Sequence, residues 1–247
     1  MLKSAFGAGA GAGLAVVVLV DVAAGLYAAL GILTALLERE VSGKGQWVHT
    51  SLLHAQIAMM DFQAARYLND GDIPVQQGND HPTSSPMGLF EGSDGVFNLG
   101  ASGEGNWVRL CRLLGREDWL ADPEFTTETL RVKHRERLNR ELADIFKPRR
   151  VADWVTELND AGVPAGAVYT VPEMFEDEQV RHLGVTASLM TDFGKQMHYI
   201  TQPVTLTRTP SKVVAQAPGW GTHTDEVLAE AGYSEDEIRQ FHADAVV

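Results

Sequence analysis

Apolar positions crowd the first sixty residues and thin out afterwards. Ala5 to Val20 carries no charge, and Asp21 is the single charged residue between Lys3 and Glu38. Val16 to Val20 is mostly β-branched, which suits a buried strand. From Asp21 the pattern becomes helical and continues to about Val41, where Gly43 fits the left-handed position that ends a helix. Gln46 to Thr50 alternates like a strand. Ser51 stands as N-cap to a further helix carrying Leu52, Leu53, Ile57, Met59, Met60 and Ala64, which runs to about Leu68.

Asn69 to Pro74 is turn-rich, and Gln77 to Pro86 has no period at all, so it reads as a loop. Leu89-Phe90 and Val96 to Leu99 flank Glu91-Gly92-Ser93-Asp94-Gly95 and predict a hairpin. Gly100 to Asn106 is a second loop, opening a helix from Trp107 to Leu114. Trp119 to Phe125 forms a turn in which Pro123 restricts Asp122. Amphipathic helices follow over 128–146 and 151–161. In the first, the charge run Arg131 to Arg140 reads as a solvated face. Glu104, in the second loop, reads as a solvated carboxylate. Met197 to Ile200 and Pro203 to Leu206 read as strands, and Ser234 to Glu237 fits a capping box for the last helix. Helices interleaved with short strands give an α/β class.

Composition narrows the functions. The 247 residues carry a formal net charge of −13 and no basic cluster, which argues against nucleic acid as a partner. Cys111 is the only cysteine, so an intramolecular disulfide is impossible and a reducing cytoplasm is expected. Its apolar neighbours make it a buried structural thiol. The histidines show no metal-ligand spacing, so no metal is expected. The N-terminal apolar run has the length of a signal peptide or span. Gly and Ala contribute little hydrophobicity, however, and Asp21 interrupts it, so a membrane role is not expected. The Gly/Ala repeat Gly7 to Gly13 is only a weak hint of a dinucleotide loop, because no strand precedes it.

Asp21 therefore needs explaining, since burying an unpaired charge is costly. At a strand-to-helix junction an Asp serves as N-cap, and the helix N-terminus stabilises both the carboxylate and an anionic transition state. On these residues alone, a cap and a catalytic acid both remain open.

The stretch also resembles a family signature. Asp21, Gly25, Leu26, Ala29, Ile32, Leu33, Ala35, Leu36, Gly43, Gly45, Gln46, Val48, Ser51 and Leu52 fall on the pattern of the family III CoA-transferases. That group includes formyl-CoA and carnitine CoA-transferases and α-methylacyl-CoA racemases. Further matches are Gly78, Asn79, His81, Pro82 and Pro86, then Trp119 to Phe125, Gly162 to Val168 and Gly221 to Leu228. The resemblance implies a remnant of a Rossmann-like large domain plus a smaller α+β domain. The expected division is 1–75 for the partial large domain, 76–200 for the small domain with its linker loop, and 201–247 returning to the large domain. It implies Asp21 as catalytic residue and Gly78, Asn79 and His81 as substrate-binding residues in a loop that closes over the intermediates. Coenzyme A would be a substrate, with no other cofactor. Acyl-CoA and a carboxylic acid would be the partners, and the chain would be a cytoplasmic homodimer.

The family's long segment before the aspartate is not matched here. The chain is expected to be N-terminally truncated, to lack most CoA-holding residues, and to be poorly stable or partner-dependent alone. Two alternatives stay open: racemase-type proton transfer by Asp21, and an inactive fragment that needs a separate N-terminal half.

Overall fold

A computed structural model describes residues 11–191 and 193–247; the Gly/Ala repeat before Gly11 lies outside them. The chain divides into two units, one ending at Glu173 and one from Met174 to Val247.

The first unit opens with α1 (Gly11–Ser42), one unbroken helix. The strand expected over Val16 to Val20 is therefore helix. A short apolar run carries no period that separates a buried strand from a helix. Here the Ala- and Leu-rich residues that follow favour the helix, and adding a residue to an existing helix costs far less than starting one. Gly43 ends α1 as expected, with φ +70° and its N–H on the Arg39 carbonyl at 2.8 Å. Val20, Ala23, Ala24, Ala28, Gly31 and Ala35 form the covered stripe of α1. Ala23 and Ala24 pack on Ala55 of α2 (Leu52–Ala58). Gly31 permits a close approach: a Cβ there would lie 2.9 Å from Val48 Cγ1, which would have to shift. Ser51 caps α2 as expected, accepting the His54 N–H at 3.2 Å. Gln46 to Thr50, expected as a strand, is irregular, since no strand among the described residues pairs with it. After α3 (Phe62–Asp70) the chain enters the 77–86 loop.

The compact part of this unit is a three-stranded antiparallel sheet, ordered β1 (Met87–Glu91), β2 (Val96–Gly100), β3 (Ala165–Ala167). The β1–β2 hairpin was legible in the sequence, and its register sets Phe90 opposite Phe97. Helices α4 (Glu104–Leu113), α5 (Asp118–Ala121), α6 (Glu128–Lys133), α7 (Arg135–Phe146) and α8 (Val151–Asp160) follow β2. Trp107 and Leu110 of α4, Leu138, Leu142 and Phe146 of α7, and Trp154 and Leu158 of α8 join Phe90, Phe97 and Leu99 in one core. Phe146 meets Phe97 at 5.1 Å and Trp154 at 5.0 Å, both edge-on, while Trp107 stacks on Trp119 at 5.7 Å. Each such buried side chain contributes about 1.5–3 kcal/mol, so the stability of this unit is concentrated here. Cys111 lies in this core, and burial pushes its thiol pKa up to about 12. The single helix expected over 128–146 is interrupted at His134, which leaves helical geometry at φ −104° and ψ 24°.

At the boundary lies α9 (Val171–Glu176). The second unit contains α10 (Glu178–His182), a β4 (Thr186–Met190)–β5 (Gln196–Ile200) hairpin, α11 (Thr224–Glu230) and α12 (Glu235–Ala243). The capping box at Ser234 and Glu237 is present as expected. Pro203 to Leu206 is not a strand: Pro203 offers no N–H, and among the described residues no strand pairs with the segment.

Candidate active site

Asp21 sits ten residues after Gly11, inside α1, and is exposed. The expectation that it caps a helix is corrected. In a helix interior the backbone N–H groups are already bonded to carbonyls one turn earlier, so none is free to stabilise its carboxylate. Exposure also removes the burial penalty that made its position in the sequence look costly. Its preceding neighbours Leu19 and Val20 line, with Gln56, Met59 and Met60, an apolar recess of about 210 Å³.

The residues 78, 79 and 81 are brought together by a turn. Gly78 takes φ +64°, and the Asp80 N–H bonds to the Gln77 carbonyl at 3.3 Å. The loop is laid against β1: His81 N–H reaches the Met87 carbonyl at 2.9 Å, and a Cβ on Gly88 would lie 2.9 Å from the Asn79 carbonyl oxygen. Gly78 and Asn79 are exposed and His81 is half-buried. The His81 ring stacks on Phe62 of α3 at 5.8 Å. Its Nδ1 accepts the Thr83 N–H at 3.3 Å, so in the neutral ring Nε2 carries the proton and is the available donor. Among the described residues, no hydrogen bond or ring contact joins Asp21 to this loop.

Two arginines that sequence reasoning assigned to a solvated face are part of this region. Arg131 is fully buried: Nε donates to the Ser85 carbonyl at 3.1 Å, Nη1 to the Phe125 carbonyl at 2.9 Å and Nη2 to Glu104 Oε1 at 2.9 Å. Glu104 is exposed, as expected, and also pairs with this buried cation. Arg135 donates to the Gln77 side chain at 2.8 Å and to the carbonyls of His81 at 2.6 Å and Ser84 at 3.3 Å. The four-residue spacing of the two arginines would put both on one face of a continuous helix, but nothing in it separates a buried face from a solvated one.

Nearby, Arg137 binds Asp122 at 2.7 Å, Glu124 at 2.8 Å and Glu141 at 2.9 Å, which ties the 119–125 turn to α7. The Arg137 guanidinium, followed by the Glu124 N–H, holds the Asp122 carboxyl below its usual range. Burial pushes Glu141 up, but hydrogen bonds from Arg116, Trp119 and Arg137 outweigh it and leave the carboxyl lowered.

A family model described as CoA-transferase family III matches residues 8–224. The chain belongs to this family. Among curated relatives, the succinate–glutarate CoA-transferase of Agrobacterium fabrum is 31% identical over 214 residues, covering 87% of this chain and 54% of that protein. The succinyl-CoA:mesaconate CoA-transferase of Haloarcula hispanica is 31% identical over 209 residues, covering 83% and 51%. A crystal structure of a CAIB/BAIF family protein from Brucella suis superposes with TM-score 0.69 at 30% identity, over 86% of this chain and 55% of that one. The α/β class read from the sequence agrees with this neighbour. The family III chain spans about half the length of the curated relatives it matches.

Proposed function

We propose that this family III chain takes part in moving CoA from an acyl-CoA thioester to a free carboxylic acid, with Asp21 as the covalent carrier. The single observation that carries the reading is the family match over residues 8–224, whose relatives are named for this exchange. The exposure of Asp21 supports its role, because a nucleophilic carboxylate must be reachable.

The chemistry runs in balanced steps. The Asp21 carboxylate attacks the thioester carbonyl and expels CoA thiolate, leaving an acyl–aspartyl anhydride. The thiolate then attacks the aspartyl carbonyl and releases the donor acid, leaving an aspartyl–CoA thioester. The acceptor carboxylate attacks that carbonyl and frees the thiolate again. The thiolate finally attacks the acceptor acyl group, releasing the new thioester and restoring Asp21. Each step exchanges one activated carboxyl for another, so no redox or metal chemistry is called for.

Gly78, Asn79 and His81 form the acceptor side of the site in this proposal. The His81 Nε2–H and the N–H groups of the exposed Gly78 and Asn79 are donors for a carboxylate or a developing oxyanion. The names of the relatives favour short dicarboxylates of the succinate and glutarate type as the acids exchanged. The working state is a cytoplasmic homodimer.

The test is CoA exchange by the purified chain between succinyl-CoA and a panel of free mono- and dicarboxylic acids. Exchange onto dicarboxylates, reduced at least about 1,000-fold in Asp21→Ala, is expected for loss of a covalent nucleophile. Equal rates in the two proteins would refute the role of Asp21.

A further inference from the structure

We propose that Arg135 is a positioning residue that fixes the 77–85 loop in the shape that receives the substrate carboxylate. The inference deepens the proposed CoA transfer and rests on that reading for what the loop binds.

The loop cannot hold its own shape by packing. Gln77 to Ser84 reads Gln-Gly-Asn-Asp-His-Pro-Thr-Ser and has no aliphatic core side chain. Apart from the His81 ring stacked on Phe62, its conformation therefore rests on hydrogen bonds, some within the loop and to β1 and several from side chains of α6 and α7. Arg131, Arg135 and Asn139 follow at four-residue intervals. Arg131 lies in α6 and Arg135 and Asn139 in α7, on either side of the break at His134. The three side chains meet the loop in reverse order: Arg131 on Ser85, Arg135 on Ser84 and His81 and back to Gln77, and Asn139 on Asp80 Oδ1 at 3.1 Å.

Arg135 is the member whose guanidinium contacts all lie within the loop, and they bracket Gly78, Asn79 and His81. Its bonds are charge-assisted, and its planar fork reaches three acceptors at once. A lysine ammonium is a single point on a flexible stem and cannot reproduce that geometry. Arg131 differs in that it is fully buried and paired with Glu104, so it joins the loop end to the core.

The test uses the full chain and the variants Arg135→Ala and Arg135→Lys. Arg150→Ala serves as control, since Arg150 is exposed and paired with Asp94 at the hairpin. Hydrogen–deuterium exchange and steady-state CoA exchange are measured on each. Arg135→Ala is expected to speed exchange of residues 77–86 by about ten-fold or more, the scale of losing charge-assisted hydrogen bonds, without faster exchange in 104–113 or 151–160. The KM for the acceptor acid should rise by about the same factor, with a smaller change in kcat. Arg135→Lys should fall between Arg135→Ala and the unsubstituted chain, and it decides the matter if Arg135→Ala does not fold. Unchanged loop exchange would overturn the proposal. So would a freed loop with KM unchanged, which would leave the CoA-transfer reading intact. If the unsubstituted chain transfers no CoA, that reading falls and the positioning role with it. The exchange data would then still report separately whether the clamp exists.

Discussion

At the scale of single residues, the ion pairs around α7 yield a prediction with a definite sign. Asp122 and Glu141 have carboxyls held below their usual range in the folded chain. A depressed folded pKa adds stability above the unfolded value of about 4, and that stability is lost as pH falls through the folded value. Arg137→Met should therefore lower the thermal midpoint at pH 7. The gap to the unsubstituted chain should close as pH drops below about 4. A gap that stays constant from pH 7 to pH 3 would show that Arg137 acts through packing alone. Ser51, Gly43, Ser234 and Cys111 were legible in the sequence because cap chemistry, left-handed glycine and apolar surroundings are local properties. Arg131 and Arg135 were not legible. A charge run normally faces water, and only tertiary partners, the Ser85 and Phe125 carbonyls and the Glu104 carboxylate, explain a fully buried arginine.

At the scale of elements, α1 is the informative case. Its covered stripe of small residues is narrow, and its larger apolar side chains lie outside it. Leu26, Leu30, Leu33 and Leu37 are 62%, 60%, 58% and 72% exposed. By length and composition, Leu19–Ser42 is also long and apolar enough to cross a membrane, a test that core helices of soluble proteins pass as well. Covering one such leucine is favourable by about 1.5–3 kcal/mol, so this face should associate with whatever apolar surface is offered. The purified chain is expected to bind a hydrophobic dye strongly and to elute larger than a monomer. Leu30→Glu with Leu37→Glu should reduce both signals. A monomer that binds no dye would contradict the prediction. The strand expected over Val16 to Val20 failed because an apolar run without breakers fits either element. The strands expected over Gln46 to Thr50 and Pro203 to Leu206 failed because a strand exists only through a partner, which local alternation does not supply. The hairpin at Gly92 to Gly95 succeeded because its turn and its alternating flanks are contiguous in sequence.

At the scale of the whole molecule, the family III signature reached further than the local reading. The aspartate motif and the loop motif were both visible as residue patterns, whereas the helix surrounding Asp21 was not. The two parts of the candidate site stand differently in the fold. The loop is fixed on the sheet-bearing core by α6 and α7, while Asp21 lies exposed on α1 beside a small apolar recess. The central claim is that Asp21 carries CoA covalently between two acids. The most direct test is to incubate the chain with succinyl-CoA, quench with hydroxylamine, and locate the modified residue by peptide mass spectrometry. The account predicts a hydroxamate at Asp21 that requires succinyl-CoA and is absent from Asp21→Ala. CoA exchange without that adduct, or an adduct on another carboxylate, would contradict it.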